Sequence, residues 1–155
     1  MLVGLISDTH NLLRPEAAAA LKGVDQILHA GDIGDESILE SLNKIAPTTA
    51  VRGNVDTAPW AKQLPETELI ELEGASFYII HDLSKLDLKP EAAGIAAVIY
   101  GHSHQPKIEE KKGVLYINPG SAGPKRFNLP ISVGKLRANL GRVTAELIGL
   151  TLVVR

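Results

Sequence analysis

Hydrophobic positions along this chain fall into short runs, and five of those runs stop at metal-binding residue types. Leu2 to Ile6 runs into Ser7-Asp8-Thr9-His10, Ile27-Leu28 into His29-Ala30-Gly31-Asp32, and Thr48 to Val51 into Arg52-Gly53-Asn54. Phe77 to Ile80 ends at His81, and Ala96 to Tyr100 ends at Gly101-His102-Ser103-His104. Short apolar runs closed by turn residues predict buried strands. Between the first three, Pro15 opens a helix over Glu16 to Lys22, and Gly34-Asp35-Glu36-Ser37 leads into one ending near Ile45-Ala46-Pro47. The first third therefore reads as a parallel, right-handed βαβαβ unit over Leu2 to Ile6, Gln26 to His29 and Thr48 to Val51.

From Thr67 the pattern changes to hairpins. Leu69 to Leu72 and Ser76 to Ile80 flank Glu73-Gly74-Ala75, and Lys107 to Glu110 and Val114 to Ile117 flank Lys111-Lys112-Gly113. Ser132 to Arg137 pairs with Val143 to Ile148 across Asn139-Leu140-Gly141-Arg142. A little helix is expected around Pro90 to Ala93. With no linker or repeat, the expectation is one domain over residues 1–155, α+β with an α/β-like N-terminal half: two packed mixed β-sheets flanked by helices. Ligand sites in such sheets gather at the carboxyl ends of strands. Asp, Asn and His at five such ends predict a single site assembled from distant segments.

Composition narrows the chemistry. The chain has no cysteine, so any metal must be held by oxygen and imidazole nitrogen. Its 16 basic and 18 acidic residues are well mixed and leave a net charge of -2, without the basic stripe of a nucleic-acid binder. No stretch approaches the roughly 18 apolar residues of a membrane span, and no basic region precedes the first apolar run. A cytoplasmic protein is expected, with an oligomeric state that the pattern does not disclose.

Each cluster has an ordinary reading beside a chemical one. Asp8 and His10 stand two apart just past a strand, where a period of two would send both side chains to the same side, yet Asp-Thr after a strand is also a common cap. His102 and His104 repeat that spacing. Asp32 and Asn54 each follow a glycine, which suits either a ligand aimed inward from a tight turn or simply a turn. A lone histidine such as His81 is often a satisfied interior residue. Taken together these readings become strained, because independent turns would have to draw four of only five histidines.

Asp8-x-His10, Gly31-Asp32, Gly53-Asn54, His81 and Gly101-His102-Ser103-His104, in that order, resemble the calcineurin-like metallophosphoesterases. Asn118-Pro119-Gly120-Ser121 is similar to a segment that their small bacterial and archaeal phosphodiesterases carry near the site. The resemblance implies a four-layer sandwich and a phosphoesterase, more of a phosphodiesterase, acting on a small phosphodiester. It also implies a dinuclear centre. One metal would take Asp8, His10 and His104, the other Asn54, His81 and His102, with Asp32 bridging and a metal-bridging hydroxide attacking phosphorus. The donors suit manganese, with iron, zinc and nickel as alternatives. A different class is a non-catalytic scaffold: one eukaryotic retromer subunit has this fold without a complete ligand set.

The chain departs from the family pattern at two places. Many members place a histidine after the Asn to protonate the leaving oxygen, and here that residue is Val55. Asp56, His29 and Asp82 are the candidate acids that remain, His29 reading also as a histidine hydrogen-bonded to backbone. The fourth motif reads His81-Asp82 where His-Gly is common, so Asp82 either occupies a left-handed, glycine-like position or adds a carboxylate near the metals. Asn118 and Ser121 are expected to orient ligands. Lys125 and Arg126 are candidates to meet an anionic substrate, and Pro59 and Trp60 to wall the pocket.

Overall fold

In the computed structural model, which describes residues 1–126 and 128–152, strands β1 (Leu2–Ile6), β2 (Gln26–His29) and β3 (Thr48–Ala50) lie side by side and parallel. Helices α1 (Pro15–Ala20) and α2 (Glu36–Asn43) make the crossovers. Pro15 stands in the first turn of α1, and the Asp35 carboxylate caps α2 by accepting from Ser37 N. β1 alternates cleanly. Val3 and Leu5 join one apolar cluster, Leu2 and Ile6 another, as expected of a strand covered on both faces.

The three expected hairpins form: β4 (Thr67–Leu72) with β5 (Ala75–Ile80), β7 (Lys107–Lys111) with β8 (Val114–Asn118), and β9 (Ser132–Asn139) with β10 (Arg142–Gly149). Together with β6 (Ile95–Ile99), they build two five-stranded mixed sheets. Their orders are β10-β9-β1-β2-β3 and β4-β5-β6-β8-β7. The sheets pack face to face through Val3, Leu5 and Leu28 against Phe77, Ile79 and Ile99, all fully buried. Helices α1 and α2 cover the outer face of the first sheet through Ala17, Ile38 and Leu42.

The outer face of the second sheet is covered more thinly. Tyr78, Ile80 and Val98 pack under Leu83, Leu86 and Leu88, which come from a 3₁₀ turn (Leu83–Lys85) and the loop after it. The expected helix at Pro90 to Ala93 is a turn only: Ala93 N bonds to Lys89 O, and Gly94 at φ 74° turns the chain into β6. A 3₁₀ helix at Pro59–Gln63 was not legible in the pattern. It packs Trp60 against the cluster beneath α2 and does not make it a wall of the site.

β5 and β6 run parallel, as do β1, β2 and β3. The loops after these five strands meet at one end of the sandwich, where backbone bonds tie them together. Asp8 N donates to Gly31 O, His10 N to Asp32 O, Val51 N to His29 O and Gly101 N to His81 O.

Candidate metal centre

The backbone that presents the site is left-handed, not extended. Asp8, His10, Asp32, His102 and His104 have φ values of 55°, 44°, 57°, 75° and 63°. Side-chain alternation along a strand therefore does not explain why Asp8 and His10 share a side. Sharp turns past the strand ends do. Such conformations cost non-glycine residues on the order of 1 kcal/mol or more each. Interloop bonds of 2.8–3.0 Å from Asp8, His10 and Asn11 to Gly31, Asp32 and Ile33 hold them in place.

Two groups of donors result. Asp8, His10 and His104 form one, and Asp32, His81 and His102 the other, with the ligand atoms of each group all within 4.8 Å of one another. In the first, Asp8 Oδ1 lies 3.6 Å from His10 Nε2 and 3.5 Å from His104 Nε2. These separations are long for hydrogen bonds but ordinary for two ligands each about 2.1 Å from one ion. Asp8 Oδ1 and His10 Nε2 are buried with no hydrogen-bond partner, a cost that a cation between them would remove. Asp32 Oδ2 stands 3.6 Å from His10 Nε2 and 3.1 Å from His81 Nε2, so it faces both groups.

His81 makes the demand for positive charge explicit. Its Nδ1 lies 2.7 Å from the Ala30 carbonyl, which can only accept, so Nδ1 carries the proton. Nε2 then faces Asp32 Oδ2 and Asn54 Oδ1, both at 3.1 Å and both acceptors. Burial depresses this imidazole, but the hydrogen bond and charge of Asp32, with Asp8 nearby, outweigh it and raise the pKa. Burial likewise works to raise Asp32, and His81 with Val55 N outweighs it and lowers its carboxyl. At His104 burial prevails and the pKa falls. The donor set fits divalent cations of borderline hardness.

Surrounding groups hold these donors in place. Asp8 Oδ2 accepts from Ser7 Oγ at 2.8 Å and from His102 N at 3.1 Å. Ser121 Oγ donates to Asp8 O, and Asn118 Nδ2 to Gly101 O and Ser103 Oγ, so both residues brace the loops that carry the donors. Gly101 packs so closely that a Cβ there would sit 2.6 Å from Asp8 Oδ2, and one at Gly53 would collide with the Asp32 carboxylate. Only glycine permits that approach. Ser7 was missed from the sequence. Its one signal was adjacency to Asp8.

All three candidate acids have partners of their own. Asp56 is buried and accepts from the backbone N–H groups of Ile33, Gly34 and Gly53, tying the Asp32 loop to the Asn54 loop. His29 is wholly buried, and burial lowers its pKa to about 4. Asp82 has φ -109°, so of its two readings the left-handed, glycine-like one does not hold. Its carboxylate caps the 3₁₀ turn, and the hydrogen bonds from Ser84 lower its pKa. Val55 is 45% exposed beside the centre, with its N–H on Asp32 Oδ1. Burial is the main cause of the lowered pKa of His104, and the charge of Arg126 adds to it.

Beside the second group opens a cleft of about 320 Å³, lined by Asn54 and His81 among others. No helix among the described residues is long and apolar enough to cross a membrane.

Residues 1–139 match the calcineurin-like phosphoesterase superfamily domain. The chain is 37% identical to a probable metallophosphoesterase of Methanocaldococcus jannaschii, over 96% of this chain and 81% of that one. A phosphodiesterase of the same organism is 30% identical over 77% of this chain and 83% of its own length. A solved structure of wild-type Vps29 complexed with Zn²⁺ from Entamoeba histolytica superposes with a TM-score of 0.74 at 24% identity, covering 96% of this chain and 99% of that chain. This likeness is one of fold. With a family match over nine-tenths of its length and donors gathered at the strand ends, the chain belongs to the calcineurin-like phosphoesterase superfamily, an assignment that supports a hydrolase acting on phosphoric esters.

Proposed function

We propose that this chain is a cytoplasmic phosphodiesterase whose centre takes two divalent cations. Asp8, His10 and His104 would hold one, and Asn54, His81 and His102 the other. The observation that carries the reading is the position of Asp32 Oδ2, within 3.6 Å of an imidazole nitrogen from each group. A carboxylate so placed can neutralise two cations roughly 3.5 to 4 Å apart. Manganese is the first choice, and iron, zinc and nickel suit the same donors. When bound, the pair supplies Lewis acidity toward the phosphoryl oxygens and lowers the pKa of water.

The chain's own residues supply orientation. Ala30 O fixes the His81 tautomer, and Ser7 and the His102 backbone N–H hold Asp8 with one oxygen turned to the centre. No side chain supplies a proton where the family often places histidine, so the substrate is a small diester with a leaving oxygen of low basicity. The cleft is too small for a nucleic-acid duplex and carries no basic stripe. The other reading, a protein-binding scaffold of the same fold, leaves Asp8 Oδ1 and His10 Nε2 buried without purpose.

Metal analysis of the purified chain, with hydrolysis of bis(p-nitrophenyl) phosphate with and without added manganese, tests the proposal. About two equivalents of metal and metal-dependent release of nitrophenol are expected. A chain that binds no metal and cleaves no diester would make the scaffold reading correct. His10→Ala and His102→Ala should each release a different equivalent first, and identical losses would overturn the division of ligands.

A further inference from the structure

The cleft beside the second group is larger than a phosphoryl group requires. At about 320 Å³ it falls at the lower end of the range, about 300 to 1,000 Å³, that holds small organic ligands. It begins at Asn54 and His81, and its floor is the outer side of β5, where Tyr78 and Ile80 project. Arg52 stands on one wall, paired with Glu66 at 3.2 Å. Asp82, Lys85 and Asp87 also line it.

The charge of this lining is informative. Two cations stand against three carboxylates, and the pairing of Arg52 with Glu66 neutralises one of those cations. Such a wall does not attract a second anionic group. Asp82 is fixed by Ser84 N at 3.0 Å and Ser84 Oγ at 2.7 Å, both on Oδ1, which leaves Oδ2 with no hydrogen-bond partner among the described residues. Asp87 is exposed. One fixed carboxylate, Asp82, and one exposed one, Asp87, above a floor of one phenol ring and one aliphatic side chain suit a short carbon skeleton that carries hydroxyl groups.

Resting on the phosphodiesterase reading, we infer that this cleft receives the retained substituent of the diester, and that this substituent is an uncharged polyol of glycerol or sugar type. Asp82 and Asp87 accept its hydroxyls, and Arg52, held by Glu66, donates to them. Tyr78 and Ile80 lie under its carbon atoms. The preference is for hydroxylated over plain alkyl groups, and against phosphorylated ones.

The test uses the full chain loaded with manganese and three p-nitrophenyl phosphodiesters with a common leaving group. Their second substituents are methyl, 2,3-dihydroxypropyl and 2-phosphoethyl. Because a charge-assisted hydrogen bond to a hydroxyl contributes about tenfold, kcat/KM for the dihydroxypropyl ester should exceed that for the methyl ester by about ten- to a hundredfold. The phosphoethyl ester should fall below the methyl ester. Asp87→Ala and Asp82→Ala should each reduce the dihydroxypropyl-to-methyl ratio several-fold, mainly through KM. Equal kcat/KM for these two esters, or a preference for the phosphoethyl ester, overturns the assignment while leaving the phosphodiesterase reading intact. Failure to cleave any of the three overturns the phosphodiesterase reading instead. Calorimetric binding of glycerol phosphate against methyl phosphate then decides the cleft, and equal affinities overturn it.

Discussion

Replacing His29 with glutamine should remove a defined part of the protein's acid sensitivity. His29 Nδ1 accepts from Gly31 N at 3.0 Å. Its Nε2 pairs at 3.0 Å with Thr9 Oγ1, whose own proton goes to Ile33 O. The ring is thus locked as the neutral Nε2–H tautomer, and a second proton would have to displace the Gly31 N–H. Burial is the main cause of a pKa lowered from 6.5 to about 4, with the carboxylates of Asp8, Asp56 and Asp32 opposing it only in part.

The folded pKa lies below the unfolded one, so the unfolded chain binds the extra proton as pH falls. Stability is therefore fully present above pH 6.5 and is lost between 6.5 and 4. The whole effect is roughly 3 kcal/mol, of which about 2 kcal/mol disappears between about pH 7 and 5. Urea denaturation of metal-stripped wild type and His29→Gln at several pH values measures it. Both lose stability through other groups, but the wild type should lose about 2 kcal/mol more over that interval. Parallel pH dependences would refute the reasoning, as would a wild type that loses less than the variant.

Three further outcomes follow from the same geometry. Asp32→Asn should abolish binding of the second equivalent of metal, because it removes the charge that faces both donor groups, and two tightly held equivalents by metal analysis would contradict this. Asp56→Ala strands the backbone N–H groups of Ile33, Gly34 and Gly53 and should cost about 3 kcal/mol or more by denaturation, so a loss under about 1 kcal/mol would mean that water replaces the carboxylate. Val55→His should speed poor leaving groups by up to about a hundred- to ten-thousand-fold and flatten the dependence of rate on leaving-group pKa. A wild-type rate already independent of that pKa, where chemistry limits turnover, would show that the wild type has a proton donor.

Local pattern was enough for the strands, the three hairpins and the gathering of Asp, Asn and His at five strand ends, because burial period and turn residues are properties of neighbouring positions. It also chose donors limited to oxygen and imidazole, since the chain lacks cysteine. The roles of Asp56, His29 and Asp82 were beyond it. Asp56 is committed to N–H groups as many as 23 residues away, and His29 to a hydroxyl 20 residues away. For Asp82 the sequence left open a glycine-like turn position and an added carboxylate near the metals, and its local bond to Ser84 holds it extended. The left-handed turns at Asp8, His10 and Asp32 were equally hidden, because their strain is offset by interloop bonds that exist only after β1 and β2 have paired. Residue type thus determined which atoms were available to bind metal. Tertiary structure alone decided which were free to do so, because a hydrogen bond between distant segments commits an atom only once the fold has brought its partner near.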